Sequence, residues 1–327
     1  MEKLKIYVTK RIAEIITKDA EGFEFFKRDG ITLNRNALLT QLTVNYHNKF
    51  AAEQDLLFGF LKERIAAAVG DDGRLDDACF DICERLNERN AAPNGEKFDV
   101  LLSLKPTKQS EPVLEYIERY SLAGRTLSEY FRSMLASYAA LPQDKREEII
   151  FKPQYDAVMR AIREKKKVFV TLNNGRGTGM EAAPYAIAGS REELHLYVLA
   201  AEKTCVPIRL SRIRSVKQLN ADAVFDGRQI YLFDKMLEYG PQFIYRPFES
   251  EAMVELTERG VEKYKKIYVH RPVPVKVNKN YYYFDCSHTQ LFQYFVRFGD
   301  DAKIIYPQSL KRDVCAFHRR ALEQYDD

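Results

Sequence analysis

The chain has 327 residues, of which 46% are hydrophobic and 30% are charged, a balance that excludes intrinsic disorder. The formal net charge of +4 excludes a histone-like polycation but is compatible with a local basic patch. The length favours two or three domains. Five scattered cysteines without a zinc-ligand spacing indicate reduced thiols, so we expect neither a metal nor a cofactor.

Two stretches of the first half share one pattern of elements. Leu4–Lys10 alternates apolar and polar residues, which predicts a half-buried strand, and a helix should follow over Ile12–Phe26. About ninety residues later the pattern recurs as a strand, Phe98–Lys105, and two helices, Glu111–Tyr120 and Ala123–Tyr138. The first half therefore contains two copies of one structural unit.

Both copies carry the same short signature before their second helix. GITLN (Gly30–Asn34) matches GRTLS (Gly124–Ser128), and either Thr32 or Asn34 can cap the helix of the first copy. A helical insertion, Asp55–Arg89, separates the copies. One strand and two helices, with G-x-[ST]-x-[NS] before the second helix, resemble the ribbon-helix-helix fold.

This resemblance implies a DNA-binding face. In that family two strands pair into an antiparallel ribbon whose outward face enters the major groove. A single unit cannot satisfy its strand edge, so the copies should pair within the chain or each with a second chain. Asp99 and Leu101 are poor readers of DNA bases, so a pairing and dimerisation scaffold is the alternative. The residues carried over to the outward face are Lys3, Lys5, Tyr7 and Thr9.

The middle of the chain is rich in short strands. A helix at Phe151–Lys166 precedes them, and their regular spacing predicts a small five-stranded barrel or SH3-like sheet. Three segments follow in order: Pro184–Tyr185, LYVL at Leu196–Leu199 and IRLSRI at Ile208–Ile213. They resemble the WYL domain, whose name-giving tripeptide is degenerate here and which usually has an Asp at the position of Ser211.

Three arginines within six residues make the last of these strands unusual. Strict alternation would point Arg212 and Arg214 into the core, and a bulge near Ser211 would avoid that. WYL domains are Sm-like barrels thought to sense nucleic acids or other negatively charged ligands, and arginine binds phosphate bidentately and stacks on bases. The resemblance places these residues on the ligand face: Tyr185, Tyr197, Arg209, Ser211, Arg212 and Arg214.

Alternative roles remain for some of these features. One or two of the arginines can be structural, bonded to carbonyls or to Glu181, Glu192 or Glu193. GRGTG (Gly175–Gly179) lacks the lysine and the following helix of a phosphate-binding loop, so it predicts a hairpin loop.

The last hundred residues predict the element order βαββαβα, which is typical of a ferredoxin-like α/β sandwich. The segment RFGDDAKIIYPQSL (Arg297–Leu310) resembles the tail domain that often accompanies WYL domains. In that family the tail commonly mediates dimerisation.

The sequence thus predicts a multidomain α+β chain with three parts. Residues 1–145 form a duplicated ribbon-helix-helix-like region, residues 150–225 a WYL domain with a Sm-like barrel, and residues 226–327 a ferredoxin-like dimerisation domain. The arrangement is similar to the WYL accessory proteins encoded beside type VI-D CRISPR RNA-guided ribonucleases. The resemblance implies a homodimer that binds single-stranded RNA and enhances the effector ribonuclease.

We do not predict an enzyme, because no Walker, dinucleotide-binding, H-E-x-x-H or G-x-S-x-G motif occurs. The start MEKLKIYVTK lacks the apolar core of a signal peptide, and no apolar run approaches membrane-spanning length. We therefore expect a protein of the bacterial cytoplasm that does not bind membranes.

Two other functions fit the same residues. The chain can be a transcriptional regulator that binds DNA through its ribbon and senses a nucleic-acid or other anionic ligand on its WYL domain. It can also be an interaction scaffold that binds no nucleic acid. Binding to single-stranded RNA, single-stranded DNA and duplex DNA across a salt series distinguishes the three.

Overall fold

The hydrophobic patterns produce a mixed α+β, multidomain chain in the computed structural model, which describes residues 2–69, 74–173, 179–190, 192–245 and 251–325. The predicted GRGTG loop, apart from Gly179, lies outside these residues. The chain divides into two units, residues 1–152 and 153–327. The three-domain division made from the sequence stays a prediction.

The first unit contains one two-stranded ribbon and a set of helices. In chain order its elements are β1 (Leu4–Val8), α1 (Lys10–Gly22), α2 (Arg35–Val69), α3 (Leu75–Ala91), β2 (Val100–Leu104), α4 (Glu111–Tyr120), α5 (Leu127–Ala140) and α6 (Gln143–Ile150). The predicted insertion is therefore not a separate body, because its first half continues α2 and its second half is mostly α3.

The ribbon pairs the two copies within one chain. Strands β1 and β2 are antiparallel, with Leu4 opposite Leu104 and Val8 opposite Val100. Apolar side chains of both strands, including Ile6 and Leu102, are buried. The backbone N–H and C=O groups on the facing edges of β1 and β2 thus bond to each other, so this pairing needs no second chain.

The shared signature caps the two second helices at different residues. Thr126 accepts a hydrogen bond from the amide of Glu129, whose carboxylate accepts one in return. In the first copy Asn34 caps α2 instead, by accepting from the amide of Ala37 at 3.2 Å. The corresponding Thr32 donates its hydroxyl to Asp29 at 2.6 Å. Relative to the signature, the second helix of the first copy therefore begins two residues later than that of the second copy.

A buried ionic cluster joins α1 to α5 and α6. The carboxylate of Asp19 accepts hydrogen bonds from Nε and Nη2 of Arg146 at 2.7 and 2.8 Å and from the Tyr138 hydroxyl at 2.8 Å. Arg146 also donates to the Leu141 carbonyl at 2.6 Å. The sequence patterns did not reveal this cluster.

The second unit contains two antiparallel sheets with helices. It begins within α7 (Lys152–Arg163), and its further elements in chain order are β3 (Lys166–Leu172), β4 (Gly179–Gly189), β5 (Leu196–Ala201), β6 (Cys205–Arg209), β7 (Ile213–Asp222), α8 (Gly227–Tyr239), β8 (Glu251–Leu256), α9 (Glu258–Lys266), β9 (Pro274–Asn278), β10 (Tyr281–Asp285), α10 (His288–Phe295), β11 (Ala302–Tyr306) and α11 (Gln308–Leu322).

The first of these sheets has five strands in the order β6-β5-β4-β3-β7. The segment from Ile208 onward, predicted as one strand, is split into β6, a 3₁₀ turn at Leu210–Arg212, and β7. This turn places the three arginines. The Sm-like barrel stays an expectation.

The second sheet has four strands in the order β11-β8-β10-β9, and its elements follow the predicted βαββαβα order. Its core combines aliphatic side chains with aromatic ones, including Phe284, Tyr294, Phe295 and Phe298. No helix of the described segments is both long and apolar enough to cross a bilayer.

Candidate nucleic-acid interface

A break in strand alternation turns the arginines away from the core. Leu210 and Ile213 are buried, whereas Arg212 and Arg214 are exposed and Arg209 is half-buried. The 3₁₀ turn between β6 and β7 shifts the parity of the chain, so the arginines avoid the cost of burying unpaired charge. The irregularity predicted near Ser211 is thus a 3₁₀ turn and not a bulge. As predicted, it keeps Arg212 out of the core.

An open groove of about 580 Å³ lies beside this turn, and we call it the arginine groove. Arg209 of β6 stands directly opposite Tyr197 of β5, so the pairing of the two strands brings these side chains together. The residues that line the groove are Glu193, His195, Tyr197, Pro207, Arg209 and Arg212.

The Arg209 guanidinium lies against an imidazole. Its Nη2 is 2.6 Å from Nε2 and 3.2 Å from Nδ1 of His195. A guanidinium can only donate, so the His195 nitrogen that accepts must carry no proton. This contact orients Arg209 within the groove while Arg212 remains at its exposed side.

Tyr197 contributes to the groove mainly through its hydroxyl, because its ring is largely buried. The side chain is only 9% exposed, and its hydroxyl donates to the carboxylate of Glu193. Burial, followed by the hydrogen bond to Glu193, raises the pKa of Tyr197 far above its usual value, so the phenol keeps its proton at neutral pH. A broad stacking platform for bases is therefore not formed by this ring.

Two of the three acids predicted as partners of the arginines form pairs with other residues. Glu181 pairs with Lys167 at 2.9 Å, and Glu192 pairs with Nδ1 of His270 at 2.5 Å. Glu193 lines the arginine groove and accepts from Tyr197. Among the described residues that line the groove there are two guanidinium groups and one carboxylate, a net positive charge that favours an anionic ligand.

Three residues predicted for the ligand face do not line the arginine groove. The ring of Tyr185 stacks on Phe233, with centroids 4.5 Å apart, and its hydroxyl donates to Asp234 at 3.3 Å. Tyr185 of β4 therefore packs against α8 through a stacked aromatic pair. Ser211 is 4% exposed with no hydrogen-bond partner for its hydroxyl in the described part of the chain, and Arg214 lies on β7 outside the groove lining.

The ribbon keeps most of its predicted outward face. Lys3, Lys5 and Tyr7 are exposed, and Leu101 stands opposite Tyr7. Thr9 requires a correction, because β1 ends at Val8 and Thr9 is fully buried as the cap of α1. Its hydroxyl accepts from a backbone amide of the helix, a role that threonine fills at many helix starts.

The sequence patterns missed His195 as a member of the groove and offered Glu193 only as a structural partner of the arginines. His195 lies two residues before Tyr197, so the period of a strand places both side chains on one face. Glu193 lies in the preceding turn and could not be positioned from alternation. Within the described ranges, no cluster of three or more His, Cys, Asp or Glu side chains could hold a metal ion.

Comparison with known proteins indicates a shared fold. No protein-family model matches the sequence, and no curated protein matches it. Among solved structures, the crystal structure of a CRISPR Cas-related protein matches with a TM-score of 0.63 and 19% identity, over 99% of this chain and 94% of that chain. The chain is therefore similar in fold to that protein along nearly its whole length.

A second solved structure matches more weakly. The proteasome accessory factor B/C (PafBC) of Arthrobacter aurescens aligns over 71% of this chain and 38% of its own, with 16% identity and a TM-score of 0.25. A score of this size carries no conclusion about fold or function.

Proposed function

We propose that this protein is a non-catalytic accessory protein that binds single-stranded RNA through the arginine groove and enhances an RNA-guided CRISPR ribonuclease. The observation that carries the binding proposal is an open groove whose described lining combines Arg209 and Arg212 with one acid, Glu193. Two guanidinium groups in an accessible groove provide bidentate donors for phosphate and flat cations that stack on bases.

A single strand suits the groove better than a duplex. Its unstacked bases can turn toward Arg212 while the backbone phosphates meet Arg209. A duplex keeps its bases inside and would present only its phosphates to so small a surface. The groove also offers His195, whose ring can approach a base or a ribose.

The accessory role is supported by the fold shared with a CRISPR Cas-related protein and by the family resemblance of the WYL segments. On this proposal the protein supplies RNA to a partner nuclease. Adding the purified chain to an RNA-guided CRISPR ribonuclease should raise its RNA cleavage rate, and the groove variant described below should lose that stimulation.

The proposed homodimer has a candidate interface in the second sheet. Strand β9 is an edge strand, and it exposes Val275 and Val277. An exposed apolar edge strand is a ready surface for strand pairing with a second copy. Light scattering should give twice the chain mass, and Val275→Lys with Val277→Lys should give the monomer mass.

A second candidate function is transcriptional regulation through duplex DNA. The specific observation in its favour is the ribbon, which pairs within the chain and exposes Lys5 and Tyr7 on its outer face. On this alternative, duplex DNA of one sequence would bind more tightly than single strands, and changes in the ribbon would reduce that binding.

The test compares two double variants of equal charge change. Arg209→Ala with Arg212→Ala removes the groove cations, whereas Arg319→Ala with Arg320→Ala removes two exposed arginines of α11. Two charge-assisted contacts of about 1.5 kcal/mol each predict about a hundredfold loss of RNA affinity in the groove variant only. If the groove variant bound RNA within about twofold of the unaltered chain, the assignment would be wrong.

A further inference from the structure

A second cavity lies in the first unit, among helices that the arginine groove does not involve. It has a volume of about 390 Å³, and its walls come from α2, α3, α4, α5 and the loop between α4 and α5. Aromatic side chains form much of the wall, namely Phe58, Phe80, Tyr116, Tyr120 and Tyr130. Aromatic walls favour a flat ligand, because the side-chain rings can contact the ring of such a ligand in the stacked or edge-on arrangements that aromatic pairs prefer.

One wall of the cavity is held in place by Arg125. Its Nε and Nη2 donate to the carbonyls of Leu122 and Ser121 at 3.1 and 3.3 Å, where α4 has ended. Its Nη1 is 3.1 Å from Oε1 of Glu84 on α3. The guanidinium also lies over the ring of Tyr130, at 5.2 Å from the centroid. Arg125 therefore fixes the loop between α4 and α5 against α3 and Tyr130 at this wall.

Tyr130 presents an unused hydrogen-bonding group in this wall. The residue is 1% exposed, and its hydroxyl has no hydrogen-bond partner in the described part of the chain. Burial raises the pKa of Tyr130 to about 12, so the hydroxyl keeps its proton at neutral pH and can donate or accept. A buried hydroxyl without a partner costs stability, and a ligand atom in the cavity would remove that cost.

The charges of the lining exclude an anionic ligand. Asp55 and Glu84 line the cavity together with one cation, Arg125, which is already paired with Glu84. The remaining negative charge repels phosphates and carboxylates and attracts N–H donors. Burial also raises the pKa of Glu84 above its usual value, although Arg125 opposes this shift.

We propose that this cavity binds a small flat nitrogen heterocycle without negative charge, a free nucleobase or nucleoside, with its ring against the aromatic walls and a ring atom bonded to the Tyr130 hydroxyl. The carboxylates of Asp55 and Glu84 accept from its N–H groups. The proposal rests on the first unit alone and is independent of RNA binding in the arginine groove.

The test uses adenosine, guanosine and cytidine, each with its 5′-monophosphate, in titrations of the full chain followed by calorimetry and saturation-transfer NMR. At least one nucleoside should bind, and its monophosphate should bind at least about threefold more weakly. Ala51→Leu fills the cavity and should abolish this binding, whereas Ala52→Leu, exposed on the same helix and outside the lining, should not. The groove variant that lacks Arg209 and Arg212 should bind nucleosides normally.

The change Tyr130→Phe gives a second, separate readout. It should raise the melting temperature of the free protein, because the unpaired hydroxyl is gone, and weaken nucleoside binding by about threefold to tenfold. Three results would overturn the proposal: no nucleoside binds up to its solubility limit, the monophosphates bind as tightly as the nucleosides, or binding survives both Ala51→Leu and Tyr130→Phe.

Discussion

Replacement of Asp19 should test how the first unit is held together. In Asp19→Asn the carboxylate that receives two hydrogen bonds from Arg146 and one from Tyr138 loses its charge. Asp19 is 2% exposed, so water cannot replace these contacts, and the Arg146 guanidinium is left without its counter-charge. Breaking a buried ion pair on one side typically costs about 3–5 kcal/mol, and we expect a loss of that size.

The assay is urea unfolding of the full chain followed by circular dichroism in the far ultraviolet. Asp81→Asn is the matched control, because Asp81 forms an exposed pair with Arg85 at 3.0 Å, one helical turn away. Such a pair is worth about 0.5 kcal/mol, so the control should barely move the transition. A loss for Asp19→Asn no larger than that of the control would refute the reasoning.

Three further predictions concern the rest of the chain. Hydrogen bonds, chiefly from Lys263, lower the pKa of Asp301 to about 2, so its contribution to stability is present above pH ~4 and is lost as the pH falls toward 2. Asp301→Asn should therefore melt lower than the unaltered chain at pH 6 and by a much smaller margin at pH 2, and a constant difference would contradict this. Ser211→Asp adds a carboxylate next to Arg212 in the chain, at a buried position outside the groove lining, and should weaken RNA binding about tenfold in filter assays, half the effect of the double alanine variant in free energy; unchanged binding would argue against the groove. Lys3→Ala with Lys5→Ala should change single-stranded RNA affinity less than threefold, and a larger loss on RNA than on duplex DNA would move the RNA site to the ribbon.

Periodic patterns predicted most of the elements. Apolar periodicity predicted strand β1 within Leu4–Lys10 and the order of strands and helices after residue 250. This succeeds because burial of one face requires a period of two residues in a strand and 3.6 residues in a helix. The helix Glu111–Tyr120 has the predicted limits. The helix cap formed by Thr126 and Glu129 is also predictable, because its two residues lie only three positions apart in the sequence.

Contacts between distant residues could not be predicted in this way. Thr9 has the parity of an outward residue, but the chain has already turned into α1, and its hydroxyl caps that helix. Tyr185 was expected to meet a ligand, yet its ring stacks on Phe233, which lies 48 residues further along. The partner of such a residue is set by how α8 packs on β4, and alternation carries no information about that packing.

The arginine groove was predicted in part. The density of arginines between Ile208 and Val216 indicated a site, and the parity problem indicated an irregularity near Ser211. The position of Glu193 beside Arg209 depends on the turn before β5, whose path the sequence pattern does not specify.

The salt dependence of single-stranded RNA binding tests the central claim most directly. The logarithm of the association constant should fall linearly with the logarithm of salt concentration for the unaltered chain. Without Arg209 and Arg212 the affinity should drop about a hundredfold, and the slope should become shallower by about 0.7, the value for the one phosphate contact proposed for Arg209 on a single strand. The α11 double variant should keep both the affinity and the slope. Equal affinities and slopes for all three proteins would contradict RNA binding in the arginine groove.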